Sequence, residues 1–331
     1  MIENLSFIII ALNEEFAVDK CLSSILSMPL KNCEVIAVDS NSSDKTLFVM
    51  KSYIGRIENL RIIKIAGLVN AASARNAGMN YTTKPYIYFV DGDVELYPEF
   101  IEQALYKLQT GGADAVTGKL LEIQYCNDYK NEIRKIIRRA HITEESNCLW
   151  TGGIFITTKH IIEKVGAWDA SYVLHEDMNY TLRLSRVGKI LQLPEFIGIH
   201  HSQEYHDRNW EHFIKGYPML YGRLLRENLD RPLFFIRLLR SNRGLATFIL
   251  ISCLLVLSSL VAVVLPTFPF QAIALIFVSC ILIDCAYSII LKHFNIQQWL
   301  LHNYLTPIKM IFGFFKKTKR IEEQTRIEII S

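Results

Sequence analysis

Short apolar runs alternate with helical patterns along the first third of this chain. The runs fall at Ser6–Ala11, Glu34–Asp39, Arg61–Ile65, Tyr86–Val90 and Ala113–Gly118. Each is β-branched or aromatic and nearly free of polar interruption, as strands buried on both faces are. Between them lie helical patterns at Glu14–Ser27, Asp44–Tyr53, Ala71–Asn80 and Pro98–Gln109. This alternation predicts an α/β fold with a Rossmann-like, doubly wound, mostly parallel sheet.

Such sheets bind ligands beyond the carboxyl ends of their strands. Asn13, Glu14 and Glu15 follow the first run, Asp39 to Asp44 the second, and Asp91, Gly92 and Asp93 the fourth. Polar groups therefore converge on one edge from three strands. In YIYFVDGDVE (Tyr86–Glu95) a buried strand runs into two carboxylates. Neither GxGxxG nor GxxxxGK[ST] occurs, so no glycine-rich loop grips phosphates. Two carboxylates repel a diphosphate, but a hard cation held between them attracts it. VDGD thus reads as a Mn²⁺ or Mg²⁺ clamp for a nucleoside diphosphate.

The 331 residues suit one large domain plus something extra. A net charge of +3 does not point to a nucleic-acid partner. The seven cysteines are widely spaced with no CxxC, which supports neither a disulfide framework nor a thiolate zinc site. MIENLSFIII reads as a strand feeding a turn, not as a signal peptide.

The C-terminal third differs in kind. Gly244–Leu265 carries no charge, PTFP (Pro266–Pro269) breaks it, and Phe270–Leu291 is interrupted only by Asp284. Each is long enough for the about 20 apolar residues that cross a bilayer core, predicting a transmembrane helical hairpin. An acid at Asp284 marks a functional position in the membrane region, or else pairs with a helix neighbour or sits near an interface. Arg237, Arg240 and Arg243 precede the hairpin, and Lys292 and KKTKR (Lys316–Arg320) follow it. The positive-inside rule places both termini and the large domain in the cytoplasm, on an inner or plasma membrane. The expected division is 1–210 catalytic domain, 211–243 basic amphipathic membrane-proximal segment, 244–265 and 270–291 hairpin, and 292–331 amphipathic basic tail.

SFIIIALNEE, EVIAVDSNSSDKT, ASARNAG, YFVDGDVE and TGGIFITTKHIIEKVGAWDASYVLHEDMNYTLRLSRVGKI occur in that order. Together, over roughly residues 5 to 205, they resemble the family 2 glycosyltransferases of the GT-A fold. The resemblance implies that Ala11, Asn13, Glu15 and Asp39 hold the base and ribose and that Arg75 helps place the nucleotide. It implies that Asp91 and Asp93 bind ribose and metal, Asp93 directly. A histidine of the pair His200 and His201, nominally His201, would complete the metal site. Trp150, Gly152, Gly153 and His175 would line the acceptor and donor sugar. Asp177 would be the catalytic base and Glu176 an acceptor binder or second catalytic carboxylate, although either residue also suits a helix N-cap.

The function expected is metal-dependent, inverting transfer from a nucleotide-sugar, UDP-linked by default, to a membrane-associated, lipid-linked saccharide. Polyprenyl phosphate as acceptor is the alternative. A nucleotidyltransferase and a non-catalytic membrane scaffold are lesser readings.

Overall fold

The computed structural model describes residues 2–241 except 68, 127–128 and 204–208, then 245–246, 249–250, 252–253, 279, 297, 300–316 and 325–331. The chain forms two compact units, residues 1–205 with 319–331, and residues 206–318.

The first unit begins with β1 (Ile2–Glu3), β2 (Leu5–Ala11), α1 (Ala17–Leu26), β3 (Leu30–Lys31) and β4 (Glu34–Asp39). It continues with α2 (Thr46–Lys51), β5 (Leu60–Gly67), α3 (Ala71–Met79), β6 (Tyr86–Asp91), β7 (Val94–Leu96) and α4 (Pro98–Gln109). Then come β8 (Ala115–Cys126), β9 (Asn131–Arg138), β10 (Ser146–Cys148), β11 (Phe155–Thr158), α5 (Lys159–Val165), α6 (Glu176–Val187) and β12 (Ile190–Gln203). The second unit contains α7 (Asn209–Ile214), α8 (Pro218–Glu227), α9 (Pro232–Ser241), a π-helical turn at Leu301–Leu305, and α10 (Thr306–Phe315). Strand β13 (Thr325–Ile329) returns to the first unit.

The main sheet has the order β10-β12-β8-β11-β6-β2-β4-β5-β13, with β7 on β12 and β9 on β8. Strands β6, β2, β4 and β5 pair in parallel. Strand β11 enters antiparallel between β6 and β8. The sheet is therefore mixed, with a parallel core.

Strand β2 is buried at every residue because both faces are covered. Phe7 and Ile9 pack into one core with Val18, Leu22, Tyr88 and Phe100. Ile8 and Ile10 pack into the other with Ala72, Ala77, Phe89 and Trp168. The period-two alternation of a strand divides one apolar run between two cores. Helix α1 buries Val18, Cys21, Leu22 and Ile25 on one stripe. Helix α3 lies close on β2 because the residues it packs there, Ala74, Ala77 and Gly78, are small, and a Cβ on Gly78 would overlap Ile8.

Two features depart from the expected division. The tail is not one amphipathic segment. Helix α10 packs on α8 through Gly222 and Gly313, each set against the backbone of the opposite helix. Strand β13 pairs antiparallel with β5, Arg326 opposite Ala66. Among the described residues no helix is long and apolar enough to cross a membrane. Most of 244–291, where the hairpin is expected, lies outside the described residues.

Candidate active site

The ends of β2 and β4 face one another through their loops. Asn13, in the left-handed region at φ 56°, accepts from the Ser43 backbone N–H at 2.8 Å. Glu15 accepts from the Lys45 N–H at 3.0 Å. In return, the Asn13 N–H donates to Ser42 Oγ and the Glu15 N–H to Asp44 Oδ2. The Ala11 carbonyl accepts from the Ser40 N–H at 2.9 Å. Asn13 and Glu15, read as nucleotide ligands, are thus bonded as a brace between two loops. Asp39 is fully buried, and among the described residues its carboxylate takes only weak bonds of 3.3 Å from the Ser42 N–H.

The end of β6 is different. Its Asp91-Gly92-Asp93 turn presses on the end of β2, where the Gly92 N–H donates to the Ile10 carbonyl at 2.8 Å. A Cβ on Gly92 would lie 2.7 Å from both Ala11 Cβ and Glu14 Oε2. Only glycine fits there, and the Glu14 carboxyl lies against the turn. Among the described residues Glu14 Oε2 and Asp93 Oδ1 are buried without a hydrogen-bond partner. Burial, reinforced by Asp93 and Asp91, pushes the Glu14 carboxyl well above the usual carboxylate range.

Arg75 joins this turn to α6. Its guanidinium is almost fully buried and donates to Asp91 Oδ1 at 2.6 Å and Glu176 Oε1 at 3.0 Å. Its flat face lies on the Trp168 ring at 4.6 Å, and Trp168 stacks on Tyr180 at 3.9 Å. The backbone around Trp168 is pinned by Asn76, one residue beyond Arg75, through bonds of 2.8 and 3.0 Å. A Cβ on Gly153 would overlap the Arg75 guanidinium, so this glycine is needed for the bridge. Burial raises the Asp91 carboxyl above its ordinary value, Arg75 opposes this, and Asp93 and Glu176 add to it.

Helix α6 begins at Glu176, after His175 at φ 65°. Asp177 Oδ1 accepts from the Met178 N–H at 2.6 Å. Among the described residues its Oδ2 accepts no hydrogen bond, and it faces the space at Gly152. Burial and the neighbouring Glu176 raise the Asp177 carboxyl to about 6, with the Met178 N–H and Arg75 limiting the rise. Trp150 is half-buried just before Thr151, which bonds to Thr181 of α6.

The histidine pair resolves in the direction opposite to the sequence reading. Successive residues of β12 point to opposite faces. His200 Nε2 meets Asp93 Oδ2 at 2.8 Å. His201, nominated as the metal ligand, points away to Glu95 at 3.1 Å and Tyr125 at 3.0 Å and is buried against that ring. Only its backbone N–H reaches Asp93, at the carbonyl. Burial would lower the His200 pKa, but the Asp93 carboxylate outweighs it and raises it.

Three further residues belong to the site. The family resemblance assigns a role to Glu15 and none to Glu14, whose carboxyl faces the Gly92 turn. Trp168 carries the Arg75 bridge. Arg139, at φ 59°, brings its guanidinium within 3.1 Å of where a Gly152 Cβ would stand.

Residues 6–167 match the family described as glycosyl transferase family 2. Glycosyltransferase AglE of Haloferax volcanii is 24% identical over 208 residues, covering 60% of this chain and 67% of its own. The uncharacterized glycosyltransferase EpsJ of Bacillus subtilis is 24% identical, covering 58% of this chain and 59% of its own. The poly(ribitol-phosphate) beta-N-acetylglucosaminyltransferase TarP of Staphylococcus aureus is 28% identical, covering 35% and 36%. The chain thus spans between about a third and two thirds of these relatives' lengths. A crystal structure of S. aureus TarS, residues 1–349, overlays with TM-score 0.48 at 16% identity, covering 65% of each chain. The matched stretch holds Glu14, Glu15, Asp39, Asp44, Asp91 and Asp93, while Glu176, Asp177 and His200 lie beyond it and join by geometry. By that match residues 6–167, just under half of the chain, form a domain similar to glycosyltransferase family 2.

Proposed function

We propose that the protein transfers a sugar from a nucleoside diphosphate sugar, UDP-linked, to a hydroxyl of a membrane-associated saccharide, with inversion at the anomeric carbon. One observation carries this reading. Arg75 ties Asp91 to Glu176, which sets the Asp177 carboxylate beside the strand-end acids. Asp177 Oδ2 takes the proton of the acceptor hydroxyl. The acceptor oxygen then bonds to the anomeric carbon as the bond from that carbon to the diphosphate oxygen breaks. Asp39, buried at the end of β4, accepts from the base or ribose. A base raised to about 6 is suited to a hydroxyl. A polyprenyl phosphate would arrive already ionised and need none, so the saccharide acceptor is favoured over that alternative.

The residues fit a divalent cation. Asp93 Oδ1 and Glu14 Oε2 are buried oxygens without partners, and Mn²⁺ and Mg²⁺ take oxygen ligands. Among the described residues no three metal-binding side chains converge on one point. Such cations commonly draw the rest of their shell from substrate phosphates and water. Asp93, with Asp91, would hold the ion, and the ion when bound neutralises the departing diphosphate.

The setting is the cytoplasmic face of a membrane, with the 244–265 and 270–291 segments as anchor. Helix α9 supports this, exposing Leu233, Phe235 and Ile236 together with Arg237 and Arg240. That mixture of apolar and basic residues suits an anionic leaflet. Relatives named for poly(ribitol-phosphate) glycosylation support a role in envelope polysaccharide synthesis. The test is calorimetric titration of the detergent-purified protein with UDP, GDP, TDP and CMP, each with Mn²⁺ and again with EDTA. Metal-dependent binding of one diphosphate supports the reading and names the donor class. Binding of none defeats it.

A further inference from the structure

We propose that Arg139 reads an anionic group, a phosphate or a carboxylate, carried by the acceptor close to its reacting hydroxyl. The inference rests on the reading of Asp177 as the base that receives that hydroxyl's proton.

Two arginines with deeply set guanidiniums border Asp177, and their charges are answered differently. Arg75 makes two ion pairs. Among the described residues Arg139 makes none. Its Nη1 donates to Thr117 Oγ1 at 2.8 Å and to the Gly118 carbonyl at 2.7 Å, both neutral acceptors. Thr117 is itself fixed, donating to the Ile154 carbonyl at 3.0 Å. The guanidinium is therefore anchored at one nitrogen while Nη2 stays available.

The direction of Nη2 identifies which substrate it meets. From the point where a Gly152 Cβ would stand, Arg139 Nη2 is 3.1 Å away and Asp177 Oδ2 is 3.8 Å away. Both groups face one space, and glycine keeps it open. The donor diphosphate is assigned to the Asp91–Asp93 turn, whereas the space at Gly152 lies beside the oxygen that receives the acceptor's proton. A cation withdrawn from water without a directly bonded ion-pair partner is costly, and burial lowers the Arg139 pKa against the opposing influence of Cys148 and Asp177. The planar fork of arginine matches a phosphate or carboxylate in two-point contact. Strand β9, which leads into Arg139, also exposes Arg134 and Lys135, and basic side chains there draw anions toward the site.

The test is a ligand-observed NMR titration of full-length protein, with UDP and Mn²⁺ present, using glycerol 1-phosphate, glycerate and glycerol as probes of similar size. Wild type is expected to bind at least one anion and to bind it better than glycerol. The better anion names the group. Arg139→Gln should weaken that binding about 10- to 100-fold, the range of a charge-assisted hydrogen bond, and Arg139→Lys should restore part of it. Equal binding of glycerol and both anions by wild type overturns the proposal without any variant. So does an unchanged anion affinity in a folded Arg139→Gln. UDP titrated with Mn²⁺ into wild type, with no probe present, separates the two readings. If UDP fails to bind while the anion still depends on Arg139, the UDP-linked donor reading falls and the anion site stands. If UDP binds and the anion does not, only the anion site falls.

Discussion

The loop ends of β2 and β4 and the acids around Asp91 occupy the same edge of the sheet, yet their polar atoms are satisfied in opposite ways. In the first region Asn13, Glu15, Ser42 and Asp44 each bond to the backbone of the facing loop. In the second, Glu14 and Asp93 leave buried oxygens unpartnered, and Asp91 and Glu176 depend on one arginine. Glu122, on the neighbouring β8, shows that burial alone does not produce this state. Bonds from Arg138, Gln124 and Ser202 hold its carboxyl at about 2 against the effect of burial. A satisfied cluster acts as a brace, whereas an unsatisfied one is kept where ligand completes it.

The sharpest way to break this comparison is Asp177→Asn. Loss of a general base should cut kcat by about 10²- to 10⁴-fold while nucleotide affinity stays within about threefold. Steady-state kinetics beside a UDP titration reads both. A kcat loss below tenfold would remove Asp177 from the role of base.

Next is Arg75→Met, which strands Asp91 and Glu176. Removing one partner of a buried ion pair costs about 3–5 kcal/mol, read as a lower midpoint in chemical denaturation. A variant as stable as wild type would mean that the bridge does not organise the second region.

The pH profile sharpens the comparison further. Asp177 must be ionised to act, and its carboxyl sits at about 6. The kcat/KM of wild type should therefore fall about tenfold per pH unit below that value and level off above it. Because Arg75 lowers the Asp177 pKa, Arg75→Met should move the limb toward higher pH. A limb that stays at ordinary aspartate values in wild type would contradict the burial argument.

The smallest effect belongs to the brace. Asn13→Ala removes two bonds to Ser43 and should cost about 1–2 kcal/mol of stability, with nucleotide affinity changed less than about threefold. A larger loss of UDP affinity would return Asn13 to the nucleotide site.

What the sequence could reveal followed from how local each determinant is. Strand β4 and helix α4 run as their apolar patterns predict, because a buried strand and an amphipathic helix each carry their own periodicity. The carboxylates at Asp91, Asp93 and Asp177 were legible because they end or begin such elements. The choice between His200 and His201 was not, since one residue of register on β12 decides it and that register is set by pairing with β7 and β8. Arg139 gave no local signal, because its place depends on a bond to Thr117 made 22 residues away. Strand β13 was missed because its alternation is weak and exposed, and its meaning lies in the distant edge it covers.

That last strand ties the timing of synthesis to the completion of the fold. The Ile62 N–H bonds to Ser331 Oγ across 269 positions of chain. Until β13 leaves the ribosome, the outer hydrogen bonds of β5 have no strand to pair with. At roughly 5–20 residues per second, the interval is on the order of tens of seconds. Through that time the nascent first unit carries an open sheet edge of the kind that recruits other chains, and the arrival of β13 closes it.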